Sequence, residues 1–130
     1  MEAQTFKATN SKWFAGQQLM GESTFEISIA RDFSRTPGPR FIRQGEASGE
    51  KFRRSVLQPA LERYQFITVI LDGTAGYGSS FIDEAFGGLI RVDGFSADEL
   101  RKRIRIISNE EVELIRDVDE AFSDAVHKTS

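Results

Sequence analysis

Between Leu71 and Ile90 the sequence reads LDGTAGYGSSFIDEAFGGLI. Two adjacent hydroxyls, Ser79 and Ser80, follow Gly73, Gly76 and Gly78 and precede the acids Asp83 and Glu84. Serines in such a place fit three chemistries: the rim of a phosphate cradle, a modifiable hydroxyl, or the cap of a helix after a tight turn. The cradle is poorly supported. The glycines run G-x-x-G-x-G rather than G-x-G-x-x-G, and no Gly-Lys-Ser/Thr follows. A Ser-His-Asp triad would need the single histidine, His127, to reach back from near the C-terminus. One histidine without any cysteine cannot build a common zinc site. Adjacent Asp83 and Glu84 suit the dipole at a helix start better than paired acid/base work. We therefore expect no catalytic residues, no metal and no cofactor, and a chain that is not an enzyme.

The elements around these residues follow from periodicity. Phe66, Ile67, Val69, Ile70 and Leu71 form a nearly continuous apolar run, the pattern of a central strand buried on both faces. Phe81, Ile82, Ala85, Phe86, Leu89 and Ile90 then recur at helical spacing. With Ser80 as N-cap, Asp83 falls at the third helical position, a variant capping box. Ser79 is left one residue outside, where a phosphate would meet backbone N–H groups and a favourable dipole. Gly87 and Gly88 fall opposite the apolar stripe and cost roughly 1 kcal/mol each against alanine. They are tolerable where another backbone approaches, from this domain or from a partner.

Upstream, Ser48 is a fair N-cap with Gly49 and Glu50 in the first turn of a helix carrying Phe52, Val56, Leu57, Ala60, Leu61 and Tyr64. Pro59 should kink it or end it early. Phe25, Ile27 and Ile29 alternate with Glu26, Ser28 and Ala30, a half-buried strand. A Pro-Gly-Pro turn and a short return strand, RFIRQ, would make a hairpin with it. Ser96, with Glu99 three residues on, caps a short helix. IRIIS is a further strand. A closing helix capped by Asn109 would turn Val112, Ile115, Val118, Phe122 and Val126 inward. The expected fold is α/β: a mixed sheet of four to five strands with helices packed mainly on one face. Residues 1–22 read as an arm or short strand, and 23–130 as one domain.

Composition sets the outer limits. The chain has 130 residues, 39% of them hydrophobic, eleven phenylalanines and no cysteine. No apolar run approaches the roughly 20 residues of a membrane span, and no signal pattern opens the chain, so the expected location is cytoplasmic. Net charge is −3, which gives no general attraction to nucleic acid. The charge is polarised all the same. Arg31, Arg35, Arg40, Arg43, Lys51, Arg53 and Arg54 cluster in one segment, whereas seven acids oppose Arg116 alone between Asn109 and Asp124. Such polarity could steer a charged partner.

The strand FITVILDG, the serines before a helix and the closing βα unit resemble the STAS domain of anti-anti-sigma factors. SGEKFRRSVLQPAL followed by VILDGTAGYGSSFIDEAFGGLI is similar, more closely, to a bacterial STAS-like family of unknown function. The resemblance implies a regulatory protein-binding domain. Its partner would be a histidine-kinase-like ATPase that phosphorylates a serine at a helix start and is released by that phosphate. The family motif Asp-Ser-Ser/Thr-Gly falls on Gly78-Ser79-Ser80-Phe81, which puts the acceptor at Ser79, with Ser80 beside it. In a parallel sheet both helix starts lie at the C-terminal edge of the strands, where ligands usually bind, so the expected partner-binding residues are Ser48, Gly49, Glu50, Arg53, Gly78 and Ser79 there, with Asp83, Glu84, Gly87 and Gly88 along the second helix. Other readings stay open: an immunity- or antitoxin-like inhibitor of another protein, a nucleotide- or nucleic-acid-binding module using the arginine-rich segment, and a homodimer.

Overall fold

A computed structural model describes residues 23–129 of the chain; the arm or strand expected over residues 1–22 lies outside them. Among the described residues the sheet has three strands: β1 (Thr24–Ser28), β2 (Phe66–Ile70) and β3 (Ile104–Ile107), in that spatial order. Both pairings are parallel, with Ile27 opposite Val69 and Val69 opposite Ile106. Over these residues the sheet is therefore parallel rather than mixed, with fewer strands than expected. The predicted return strand is a single 3-10 turn, Ile42–Gln44. Its backbone groups are spent locally: Gln44 N–H donates to Phe41 O, Gly45 N–H to Ile42 O, and Ile42 N–H to the Glu50 carboxylate. Groups bonded in this way are not free for a ladder.

β1 also ends earlier than its alternation suggests. Ser28 turns the chain into α1 (Ile29–Asp32): its hydroxyl accepts from Arg31 N–H, and its own N–H donates to the Asp32 carboxylate. A short polar residue that can bond the next turn outcompetes strand continuation. The crossover from β1 to β2 is α2, a continuous helix over 49–63. The crossover from β2 to β3 holds α3, over 79–91, and α4 (Ala97–Arg103). α5 (Glu113–Thr129) closes the chain. Pro59 does not end α2. The helix widens to a π turn over Arg53–Leu57, where Gln58 N–H reaches back to Arg53 O, and then runs on to Arg63. Widening just before a residue with no N–H to give relieves its clash with the preceding turn. The Arg103 guanidinium then donates to the end-of-helix carbonyls of Leu61 and Tyr64, a cation at the negative end of the dipole.

One core joins the layers. Ile27, Ile67, Val69 and Ile104 from the strands meet Phe52, Leu57 and Leu61 of α2, Phe81, Phe86 and Leu89 of α3, and Val118 and Phe122 of α5. β2 is central, as expected, but it is buried on one face only: Ile67 and Val69 are buried, whereas Phe66, Thr68 and Ile70 are half-exposed. The inward stripe of α5 also differs from expectation. Leu114, Val118, Ala121, Phe122 and Ala125 are buried, and Val112, at 65% exposure, Ile115 and Val126 face outward. Asn109 does not cap this helix. Its N–H donates to Asp72, and helical geometry begins only at Glu113.

The two faces of β2 give a direct test. Val69→Asp leaves an unpaired charge among buried side chains and should cost about 3–5 kcal/mol. Ile70→Asp, on the half-exposed face, should cost clearly less. Urea unfolding of both variants measures this, and equal losses would contradict the one-sided burial.

Candidate functional site

The starts of α2 and α3 meet beyond the C-terminal ends of the strands, the usual ligand edge of a parallel sheet. They touch backbone to backbone at Gly49, where a Cβ would lie 2.5 Å from Phe81 O and 3.2 Å from Ala85 N. The N-terminus of α2 is fully occupied. Gly49 N–H donates to Pro39 O, Glu50 N–H to Arg40 O, and Lys51 N–H to the Ser48 hydroxyl, as the sequence predicts for that cap. Ser96 likewise accepts from Glu99 N–H at the start of α4. The start of α3 differs. Its N-cap is Gly78, which has no side chain to offer, and the helix begins at Ser79. Ser80 is thus a helical residue, not the cap. Asp83, whose carboxylate is drawn to arginines, does not close a capping box. Gly78 and Ser79 are exposed and Ser80 is partly so. The Ser79 hydroxyl makes no hydrogen bond among the described residues. Phe81, at the position where the related motif has glycine, is fully buried against Phe33, Phe52 and Tyr77.

The loop before α3 is braced. Tyr77 Oη donates to Leu71 O at 2.8 Å, and burial pushes its phenol up to about 12, so it stays a neutral donor. Asp72 accepts from the N–H groups of Asn109 and Glu110, while Gly73 N–H donates to Glu110. Ala75 N–H donates to Arg35 O. The loops after β2 and β3 and the segment after α1 therefore hold one another beside Ser79.

The remaining residues of the expected surface turn inward. Arg53 is 3% exposed and Glu84 6%. Arg53 Nη2 donates to Glu84 Oε2 at 2.9 Å, Nε to Glu84 O at 3.2 Å, and Nη1 to both Asp93 oxygens at 3.1–3.2 Å. Arg40 donates to Asp83 at 2.7 Å and to Glu84 at 3.4 Å. Arg91 folds back along α3 to Asp83 and Glu84. Three arginines thus neutralise three acids. The two glycines make this possible. A Cβ on Gly88 would lie 2.4 Å from Arg53 Nε, and one on Gly87 would lie 2.7 Å from Arg91 Nη1 and 3.2 Å from Ala121 O. Gly87 and Gly88 therefore serve as slots inside the domain, not as an open patch. Ser48 and Gly49 are buried too. Of the expected surface residues, Gly78 and Ser79 are exposed, while Glu50 and Asp83 are half-buried. Of the arginine-rich segment, Arg40 and Arg53 are taken into the network, whereas Arg31, Lys51 and Arg54 pair at the surface with Asp32, Glu46 and Glu50.

Two predictions follow from this network. Gly88→Ala should gain roughly 1 kcal/mol of helix propensity yet destabilise the protein by about 2 kcal/mol or more, because displacing Arg53 breaks its buried bonds and leaves the Glu84 carboxylate only the longer contacts to Arg40 and Arg91. A more stable Gly88→Ala variant in chemical unfolding would overturn the slot. Burial raises the Asp83 carboxyl, but the hydrogen bond from Arg40 and the charges of Arg91 and Arg40 outweigh it, so its pKa is lowered. A depressed acid adds stability above its unfolded pKa of about 3.9, and that stability is lost as pH falls through the folded value. Asp83→Asn should flatten the acid limb of the stability profile as pH falls below the unfolded carboxyl value of about 3.9, as measured by thermal melts on the acid side.

Among the described residues, no group of three or more metal-ligating side chains is placed to hold an ion, and no helix is long and apolar enough to cross a membrane. No curated protein and no solved structure matches the chain. A family model does match, over residues 48–113, just over half of the chain, and is described as a STAS-like domain of unknown function (DUF4325). The matched segment runs from the cap of α2 through α3 and β3 to the first residue of α5, and so contains both helix starts and most of the arginine–carboxylate network. The chain belongs to this STAS-like family.

Proposed function

We propose that the protein is a non-enzymatic regulatory domain that binds a histidine-kinase-like ATPase in the cytoplasm, as an anti-anti-sigma factor does, and that Ser79 is its phosphate acceptor. The observation that carries this reading is the start of α3. Ser48 and Ser96 each spend their hydroxyl on a helix cap, whereas Ser79 stands exposed at a helix start whose N-cap, Gly78, gives no side chain. A kinase can reach such a hydroxyl, and the uncapped N–H groups favour the product anion. The braced loops beside it support a rigid docking edge made of Gly78, Ser79, the neighbouring Gly38 and the half-buried Glu50. Arg40 and Arg53 are drawn into the network and the net charge is −3, which gives the nucleic-acid reading less support.

A phosphoserine adds about −1.5 to −2 charges, which a partner surface shaped for a neutral hydroxyl must desolvate. Ser79→Asp should therefore leave stability within about 1 kcal/mol and loosen the complex, whereas Ser79→Ala should bind normally and resist release. Ser80→Ala should change neither property much, since Ser80 caps nothing. Incubation with the ATPase and ATP, followed by mass spectrometry, should place the phosphate on Ser79. No phosphate on Ser79 or Ser80, together with undiminished binding by Ser79→Asp, would sink the switch.

A further inference from the structure

The sheet face turned away from the core carries no buried residue. Thr24, Glu26 and Arg105 are exposed on it, and Ser28, Phe66, Thr68, Ile70 and Ile107 are half-exposed. The register arranges these side chains in rows. Glu26, Thr68 and Arg105 are partners across the three strands, so an acid and a base stand at opposite edges of one row. Ser28, Ile70 and Ile107 form the next row, and Thr24 and Phe66 the row before, so Phe66 and Ile70 flank Thr68 on the central strand. Arg105 makes no ion pair or hydrogen bond among the described residues, and Glu26 has only a long 4.0 Å contact with exposed Arg31.

This pattern is self-complementary. We infer that the open face is a homodimer interface, in which two copies stack face to face about a two-fold axis parallel to the strands. Such an axis lays β1 of one copy over β3 of its partner and β2 over β2. Glu26 then faces Arg105 of the partner subunit at both edges, while Phe66 and Ile70 of the two copies meet in the middle. The other in-plane axis would set Glu26 against Glu26 and Arg105 against Arg105, so charge selects the first. An isologous contact of this kind closes at two subunits. Packed sheets keep their strands within about 30° of one another, which preserves the row-to-row match near the centre. Three short strands make a patch smaller than the roughly 800 Å² per partner of stable complexes, so the dimer is weak and depends on concentration.

Sedimentation equilibrium of the full chain, from micromolar to near-millimolar concentration, should show mass rising from one copy toward two. Arg105→Glu and Glu26→Arg should each weaken self-association by about tenfold or more, since each sets like charges together at both edges. Mixing the two variants should restore dimerisation, because every edge contact in the mixed pair joins an acid to a base. The mixture is decisive, since neither substitution repairs anything within its own chain. A chain that stays monomeric at every concentration overturns the proposal and leaves the face to another protein or to residues 1–22. Association that the single variants leave unchanged, or that mixing does not restore, overturns it as well.

Discussion

The ion pair between Arg53 and Glu84 sets the terms for the rest of the domain. A guanidinium and a carboxylate that are almost wholly buried must satisfy each other and leave few donors and acceptors over, or the fold pays several kcal/mol. Arg53 meets this by dividing its donors among the Glu84 side chain, the Glu84 carbonyl and Asp93. The geometry needs space, which Gly88 gives by having no Cβ. It also needs the two helices close together, which Gly49 allows. Each end of the pair sits in a widened turn, Arg53 in that of α2 and Glu84 in that of α3. Insertions of this kind persist mostly where something specific depends on them. Here they aim two long side chains at each other across a helix contact.

The sheet imposes the second constraint. Among the described residues its strands follow one another in space as they do in sequence, and all are parallel. Strand–crossover–strand units are almost always right-handed. Two such units advancing in the same direction put both crossovers on the same side. This accounts for a core on one face only and for the half-exposed residues on the other.

Much of this was legible in the sequence. The central strand, the helix after it and the caps at Ser48 and Ser96 follow from local pattern, because each depends on residues within a few positions. The failures share a cause. Ser80 and Asn109 are good capping residues, yet the chain caps α3 with Gly78, and Asn109 is drawn to Asp72 from a distant loop. RFIRQ has strand-like composition, but its backbone groups find partners within the turn and on Glu50. In α5, Val112 and Ile115 precede or open the helix, so a period counted from them selects the wrong stripe. Asp83 and Glu84 read as dipole partners because Arg40, Arg53 and Arg91 reach them only in three dimensions. The paired glycines were visible as an anomaly, and the arginines lying over them were not.

The all-parallel sheet has a consequence for how the molecule assembles. Among the described residues no two strands are joined by a hairpin: Thr24 meets Phe66, and Ile67 meets Ile104, only after an entire helical crossover is in place. Loop-closure entropy must be spent before any ladder bond returns it, which makes such topologies slow to fold. The helices can form early, since their contacts are local, while the strand FITVI waits without neighbours. During that interval it is an apolar, uncharged segment with both edges open, the kind of segment that pairs with other chains. The braces that hold the finished loops together cannot protect it then, because they too join distant parts of the sequence. The same topology that gives the native domain a rigid edge thus exposes the nascent chain to aggregation.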